Sequence, residues 1–227
     1  MKSSITKYAL IAALAGLFSA AKADTLMLST NSSYSVGDGG AFVAQVLSGS
    51  ITNSDYSGAA KIGSNGFLTF CLEDNEVFAP GGYYNYVVNT GAVNGGVSGQ
   101  TSLNYDGVSN GTAYIYSKFA QGALGGVAGF TYGTGATGYG YLQNAIWNLE
   151  GEIPTENALA AWVKANIPNW NSDSNGSSGV YALNLTYPNG GRAQDQLYFK
   201  VPEQGLTIAL LGLGLVGLAS FRRMMAK

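Results

Sequence analysis

Both ends of this 227-residue chain are apolar, and that placement confines a folded, water-facing body to what lies between them. The N-terminal end reads Met1-Lys2-Ser3-Ser4-Ile5-Thr6-Lys7, then an apolar run from Tyr8 to Phe18, then Ser19-Ala20-Ala21-Lys22-Ala23. A basic start, a short apolar stretch and small residues before a junction are the three parts of a secretory signal peptide. Ala21 and Ala23 supply the small side chains that a signal peptidase accepts, so residues 1–23 are expected to be removed and Asp24 to begin the mature chain. The apolar run is too short to span a bilayer comfortably as a retained helix.

The C-terminal end has a different logic. Val201-Pro202-Glu203-Gln204-Gly205 is followed by apolar residues 206–221 and a basic end, residues 222–227, that opens with Arg222-Arg223. As a helix the apolar segment rises about 24 Å, against a hydrocarbon core of about 30 Å, so it reads as a marginal transmembrane helix. Gly205, Gly212, Gly214 and Gly217 lower its helix propensity further. The closing arginines are expected on the cytoplasmic side, which leaves the body facing outward. The arrangement resembles the PEP-CTERM sorting tail, in particular its Val-Pro-Asp-Ser-Gly-type variant, over about the last 27 residues. Gln204 stands where that family usually carries a proline or a small residue. The resemblance implies that an exosortase-type enzyme recognises the tail and cuts near Val201, Pro202, Glu203, Gln204 and Gly205, leaving the product in the envelope, at the cell surface or in the extracellular matrix.

Between the ends the chain is acidic. From Asp24 to Lys200 there are twelve carboxylates against five basic side chains, while six of the eleven lysines and arginines lie in the termini. A phosphate backbone needs a basic footprint, so nucleic acid is not an expected partner. Histidine is absent, which removes the usual general base and the commonest metal ligand. No cofactor and no metal site is expected.

Residues 24–200 read as one domain. From Leu26 to about Val108 short apolar or aromatic runs alternate with Gly, Asn, Ser and Asp clusters, the punctuation of antiparallel strands. Strands are predicted over 41–47, 67–72 and 83–88. In 67–72 alternation puts Phe67, Thr69 and Cys71 on one face and Leu68, Phe70 and Leu72 on the other, both at least half buried. After Asn110 the spacing turns helical: 112–124, ended by Gly125; 141–150; and 155–167 after Pro154. Strands return over 180–187 and 196–201, around a turn at Pro188-Asn189-Gly190-Gly191. The expected class is α+β: a mainly antiparallel β-barrel or sandwich with a two- to three-helix insertion over about 111–167, plus the C-terminal transmembrane helix.

Cys71 is the one cysteine, so no disulfide can form within the chain. A buried apolar residue is one reading of it. The other rests on Leu142-Gln143-Asn144-Ala145-Ile146-Trp147, where Gln143 and Trp147 are one helical turn apart. Phe70-Cys71-Leu72-Glu73 followed at a distance by Gln143-x-x-Ile146-Trp147 resembles the internal thioester domains of bacterial surface adhesins. The resemblance implies a Cys71–Gln143 thioester sheltered from water by Trp147 and Phe70, able to acylate an amine or hydroxyl on a surface molecule or polysaccharide. Intramolecular attack of a thiol on a held amide needs proximity more than a histidine. Such capture is single-turnover, so the chain reads as an adhesion or structural protein and not as an enzyme.

Three other constellations remain open. Glu73-Asp74-Asn75-Glu76 and Glu150-Gly151-Glu152 could face each other as a glycoside hydrolase pair. Tyr83-Tyr84, Tyr114 with Tyr116, and Tyr139 with Tyr141 could form the stacking surface of a non-covalent carbohydrate-binding module. Asn171-Ser172-Asp173-Ser174-Asn175-Gly176 has the opening of a calcium loop, but the twelfth position is Ala182 where an acid belongs.

Overall fold

The computed structural model describes residues 23–36, 39–56, 58–93 and 105–201. The expected leader, apart from Ala23, and the expected sorting tail beyond Val201 lie outside the described residues. So does the expected transmembrane helix; among the described residues no helix is long and apolar enough to cross a membrane.

Among the described residues the fold is mixed α+β, a large antiparallel sheet with three helices. In chain order the strands are β1 (Thr25–Ser29), β2 (Ser35–Val36), β3 (Gly39–Gly40), β4 (Phe42–Ser48), β5 (Lys61–Ile62), β6 (Gly66–Thr69), β7 (Gly82–Asn89), β8 (Gly91–Val93) and β9 (Tyr105–Gly107). The helices α1 (Asn110–Ala120), α2 (Tyr139–Glu150) and α3 (Ala158–Asn166) follow, then β10 (Val180–Thr186) and β11 (Arg192–Phe199). Seven strands form one sheet in the order β11-β10-β7-β1-β4-β6-β5, while β2-β3 and β8-β9 are separate ribbons.

The sheet bends back on itself. Just past β6, Leu197 N donates to Phe70 O at 2.9 Å and Leu72 N donates to Asp195 O at 3.0 Å, so Cys71 is bridged to Gln196 of β11. Short β5 covers only the first residues of the same β6 edge, through Ile62 opposite Gly66 and Lys61 opposite Phe67.

Period-two alternation then divides the apolar residues between two cores. Leu26, Leu28, Phe42, Ala44, Phe67, Cys71, Tyr84, Leu183, Leu185 and Tyr198 face one another on the inner side of the curved sheet. Leu68, Phe70, Leu72, Val180, Ala182, Leu197 and Phe199 face the helices, meeting Ile115, Tyr116 and Phe119 of α1 and Leu142, Ala145 and Ile146 of α2. The sequence expectation that both faces of 67–72 are covered agrees with this, since every residue there is buried.

Element boundaries differ from the sequence reading for local reasons. Helix α1 stops at Ala120, because Gly122 takes the left-handed conformation (φ +76°) that closes a helix before Gly125 is reached. Helix α3 starts at Ala158 and not at Thr155, since the Asn157 side chain accepts from Ala160 N at 3.0 Å and fixes the cap there. Strand β11 begins at Arg192, four residues before the predicted start, and β1, at the centre of the sheet, had no separate prediction.

Both ends of the described body are tied to one loop. Asp24 accepts from Ser50 N at 2.9 Å and Ser50 Oγ at 2.6 Å, and Val201 N donates to Asp55 O at 2.8 Å. Because β4 runs from Phe42 toward Ser48 and Phe42 pairs with Thr69, Cys71 lies toward the opposite end of the sheet from that loop.

Candidate functional site

Beyond Thr69 the β4 ladder has run out, since Phe42 is its last partner. The N–H and C=O of Cys71, buried on that side, therefore need partners from elsewhere. Helix α2 supplies them. Cys71 N donates to Gln143 Oε1 at 3.0 Å, and Gln143 Nε2 donates to Cys71 O at 2.8 Å, so one carboxamide stands in for a missing strand. Both residues are fully buried. The two groups singled out from the sequence are thus in contact, 72 residues apart in the chain.

The sulfur faces different groups. Cys71 Sγ donates to Gln194 Oε1 at 2.8 Å and accepts from Gln196 Nε2 at 3.3 Å. Cys71 and Gln196 form a non-hydrogen-bonded antiparallel pair, the kind that brings side chains closest together. Gln194 reaches the same sulfur because β11 carries a bulge: Leu183 is opposite Gln196 but Leu185 is opposite Ala193, one residue more on β11 than on its partner. Burial pushes the thiol pKa well above its ordinary value, Glu73 and Asp74 add to the rise, and the Gln196 hydrogen bond opposes it. At neutral pH the group is a neutral thiol.

Next along the chain, Glu73 is buried and accepts through Oε2 from Asp195 N at 3.2 Å. Its other oxygen, Oε1, has no hydrogen-bond partner. Burial and then the neighbouring Asp195 raise its pKa, so Glu73 holds its proton at neutral pH. Burial raises Asp195 too, but its carboxylate accepts from Val93 N, Leu185 N and Asn184 Nδ2, all of which favour the charged form.

Trp147 is only 8% exposed and packs in the same core as Cys71, with Nε1 unpartnered. The β2-β3 ribbon closes over it: a methyl group added at Gly39 would come within 2.9 Å of Gln143 Cγ and 3.1 Å of Trp147 Cη2. Trp147 borders two clefts. One, of about 290 Å³, is lined also by Phe42, Asp74, Glu76, Phe78 and Gln194. The other, of about 470 Å³, lies among Gly39, Asp74, Thr134, Asn144 and their neighbours. Phe70, expected from the sequence to shelter the pair, instead faces the helix core, edge-on to Phe119 at 5.1 Å, because it alternates with Cys71 along the strand.

The other constellations are engaged in holding the fold. Glu150 Oε1 accepts from Ser109 N and Ser109 Oγ, and Glu152 Oε2 accepts from Asp74 N at 3.2 Å. Burial lifts Glu150 to about 7. Tyr84, Tyr116 and Tyr139 are buried and only Tyr83 is broadly exposed, so the tyrosine pairs make no common face. Within 171–176, Asp173 is bridged to Ser109 and Ser174 N donates to Val108 O. Among the described residues no cluster of metal-ligating side chains occurs.

Sequence reading passed over Gln194, Gln196 and Gly39. The first two carry a faint signal, glutamines in a strand that ends Leu197-Tyr198-Phe199; Gly39 carries none apart from being a glycine. Comparison with protein-family models, with curated proteins and with solved structures gives no match.

Proposed function

We propose that this chain is an exported surface or matrix protein, delivered by its leader, sorted by its C-terminal tail, and attached covalently through a Cys71–Gln143 thioester. The curved sheet is read as a closed β-barrel with Gln143 and Trp147 at one mouth. The observation that carries the proposal is the Gln143 carboxamide held by both its atoms against the main chain of Cys71, in a fully buried setting.

That hold presents the carbonyl for acyl transfer, with Sγ resting on Gln194 and Gln196 in the thiol form. The Cys71 N–H on Oε1 polarises the carbonyl and would follow the charge that develops there on attack, as an oxyanion-hole donor does. Closure forms the Sγ–Cδ bond and breaks the Cδ–Nε2 bond; the thiol proton leaves with the nitrogen as ammonia. Capture reverses the roles. A primary amine attacks Cδ, the Cδ–Sγ bond breaks, an amide remains on residue 143, and the amine's proton returns to sulfur. The Trp147 ring and the Gly39 backbone keep water from competing.

The test is intact mass of the purified protein beside Cys71→Ala and Gln143→Ala, before and after methylamine. The expected result is an ammonia-sized deficit in the unmutated protein alone, replaced by a methylamine adduct on treatment. A full mass together with a titratable thiol would end the proposal. A deficit that survived Gln143→Ala and vanished in Gln194→Ala would move the acyl partner to the glutamine that touches sulfur.

A further inference from the structure

Gln196 sits in the apolar interior of the curved sheet, completely buried, with Oε1 lacking any hydrogen-bond partner. An unmet buried carbonyl is costly, and a leucine of similar size would fill the space without that cost. The amide therefore has to be accounted for by what its other end does. Nε2 reaches Cys71 Sγ at 3.3 Å and, at 3.4 Å, the carbonyl of Gln194. The second contact is within its own strand. The first is to the atom that gains and loses charge in any reaction of Cys71.

We propose that Gln196 is a catalytic residue of the Cys71 centre, the hydrogen-bond donor that stabilises sulfur as it takes on negative charge. The inference rests on the thioester reading for its chemistry, though the donor itself is a property of the thiol. In closure, the Nε2–H bond favours the thiolate that attacks Gln143 Cδ. In capture, the same bond stabilises the sulfur as the Cδ–Sγ bond breaks and before it regains a proton from the attacking amine. One donor serves both steps, because capture is the reverse of closure with a substituted amine in place of ammonia. Gln194 differs: its Oε1 accepts from the thiol and its Nε2 donates to Glu73 O, so it orients the S–H and, with its carbonyl oxygen on sulfur, opposes a bare thiolate, which leaves Gln196 as the donor.

Two arms test this. In the first, methylamine capture is followed by intact mass against time in the unmutated protein, in Gln196→Leu and in Gln196→Met. Both substitutions keep bulk and remove the N–H. Capture is expected to slow by about tenfold or more, the scale of losing one hydrogen bond to a charged group, with thermal midpoint kept or raised because the unmet Oε1 is gone. In the second arm, Gln143→Ala fixes Cys71 as a thiol, and its alkylation by iodoacetamide is measured against pH with and without Gln196→Leu. Loss of the donor is expected to slow alkylation and move its profile to higher pH. Equal alkylation in both backgrounds overturns the assignment, whatever the first arm gives. If the unmutated protein has no ammonia deficit, the thioester reading fails, and the second arm alone decides Gln196. Folding is followed in each variant by circular dichroism, and Gln196→Met stands in should Gln196→Leu not fold.

Discussion

A methyl group at residue 39 has no room. Gly39 lies against Gln143 Cγ and the Trp147 ring, and both of these are held from behind, Gln143 by Cys71 and Trp147 by the inner core. Gly39→Ala is expected to displace the carboxamide from Cys71 and to cost about 1–3 kcal/mol, the usual range for overpacking. Urea denaturation measures the cost; the fraction of protein with the ammonia deficit measures the displacement, and an unchanged fraction would show that the ribbon yields instead. At this scale the sequence was partly legible. Cys71 stood out by being single, and Gln143 by its spacing to Trp147. Gln194 and Gln196 did not, since Arg-Ala-Gln-Asp-Gln reads as a solvated stretch. Its residues 193–196 are buried because of two non-local events, the closing contact with Phe70 and Leu72 and the bulge opposite Leu183 and Leu185. Neither leaves a trace in local periodicity.

Helix α1 and the end of α2 are joined through one serine. Ser109 caps α1 by accepting from Thr112 N at 3.1 Å, and its hydroxyl proton goes to Glu150 Oε1 at 2.8 Å. Ser109→Ala is expected to destabilise the protein by about 1–2 kcal/mol, the upper part of the range for a lost N-cap, because the glutamate loses a donor as well. Ser109→Asp would keep the cap but face Glu150 with a like charge, so it should rescue only at low pH; equal stability of the two variants at all pH values would contradict the dual role. The helices were the most legible elements, since ten or so residues repeat their apolar spacing often enough to be seen. Strand β1 is five residues, Thr-Leu-Met-Leu-Ser, and its central place depends on pairing with β4 and β7, which lie far along the chain. The strands predicted over 41–47, 83–88 and 180–187 match β4, β7 and β10, and the turn at 188–191, with Tyr187 N donating to Gly191 O, was readable from its own residues too.

The molecule as a whole holds protons that its unfolded chain would release. Burial raises Asp106 to about 6 and Glu150 to about 7, with Glu73 and Asp195 shifted the same way. A carboxyl with a raised folded-state pKa contributes stability that is present in full below its unfolded value and is lost as pH climbs to the folded one. The thermal midpoint is therefore expected to be higher near pH 5 than at about pH 8, and Glu150→Gln should flatten part of the slope. A midpoint that rose across that window would mean these carboxyls are ionised without penalty.

Where the chain enters and leaves this body also matters. The loop carrying Ser50 and Asp55 holds both ends, and the Cys71 centre lies toward the far end of the sheet. An anchor pulling at Val201 against a molecule caught at Gln143 would draw β11 along its own axis. Its ladder to β10 would then resist as a set, sliding together under shear, rather than opening one rung at a time like a zip. For the covalent tether proposed above, that is the direction in which a load between anchor and captured molecule would act.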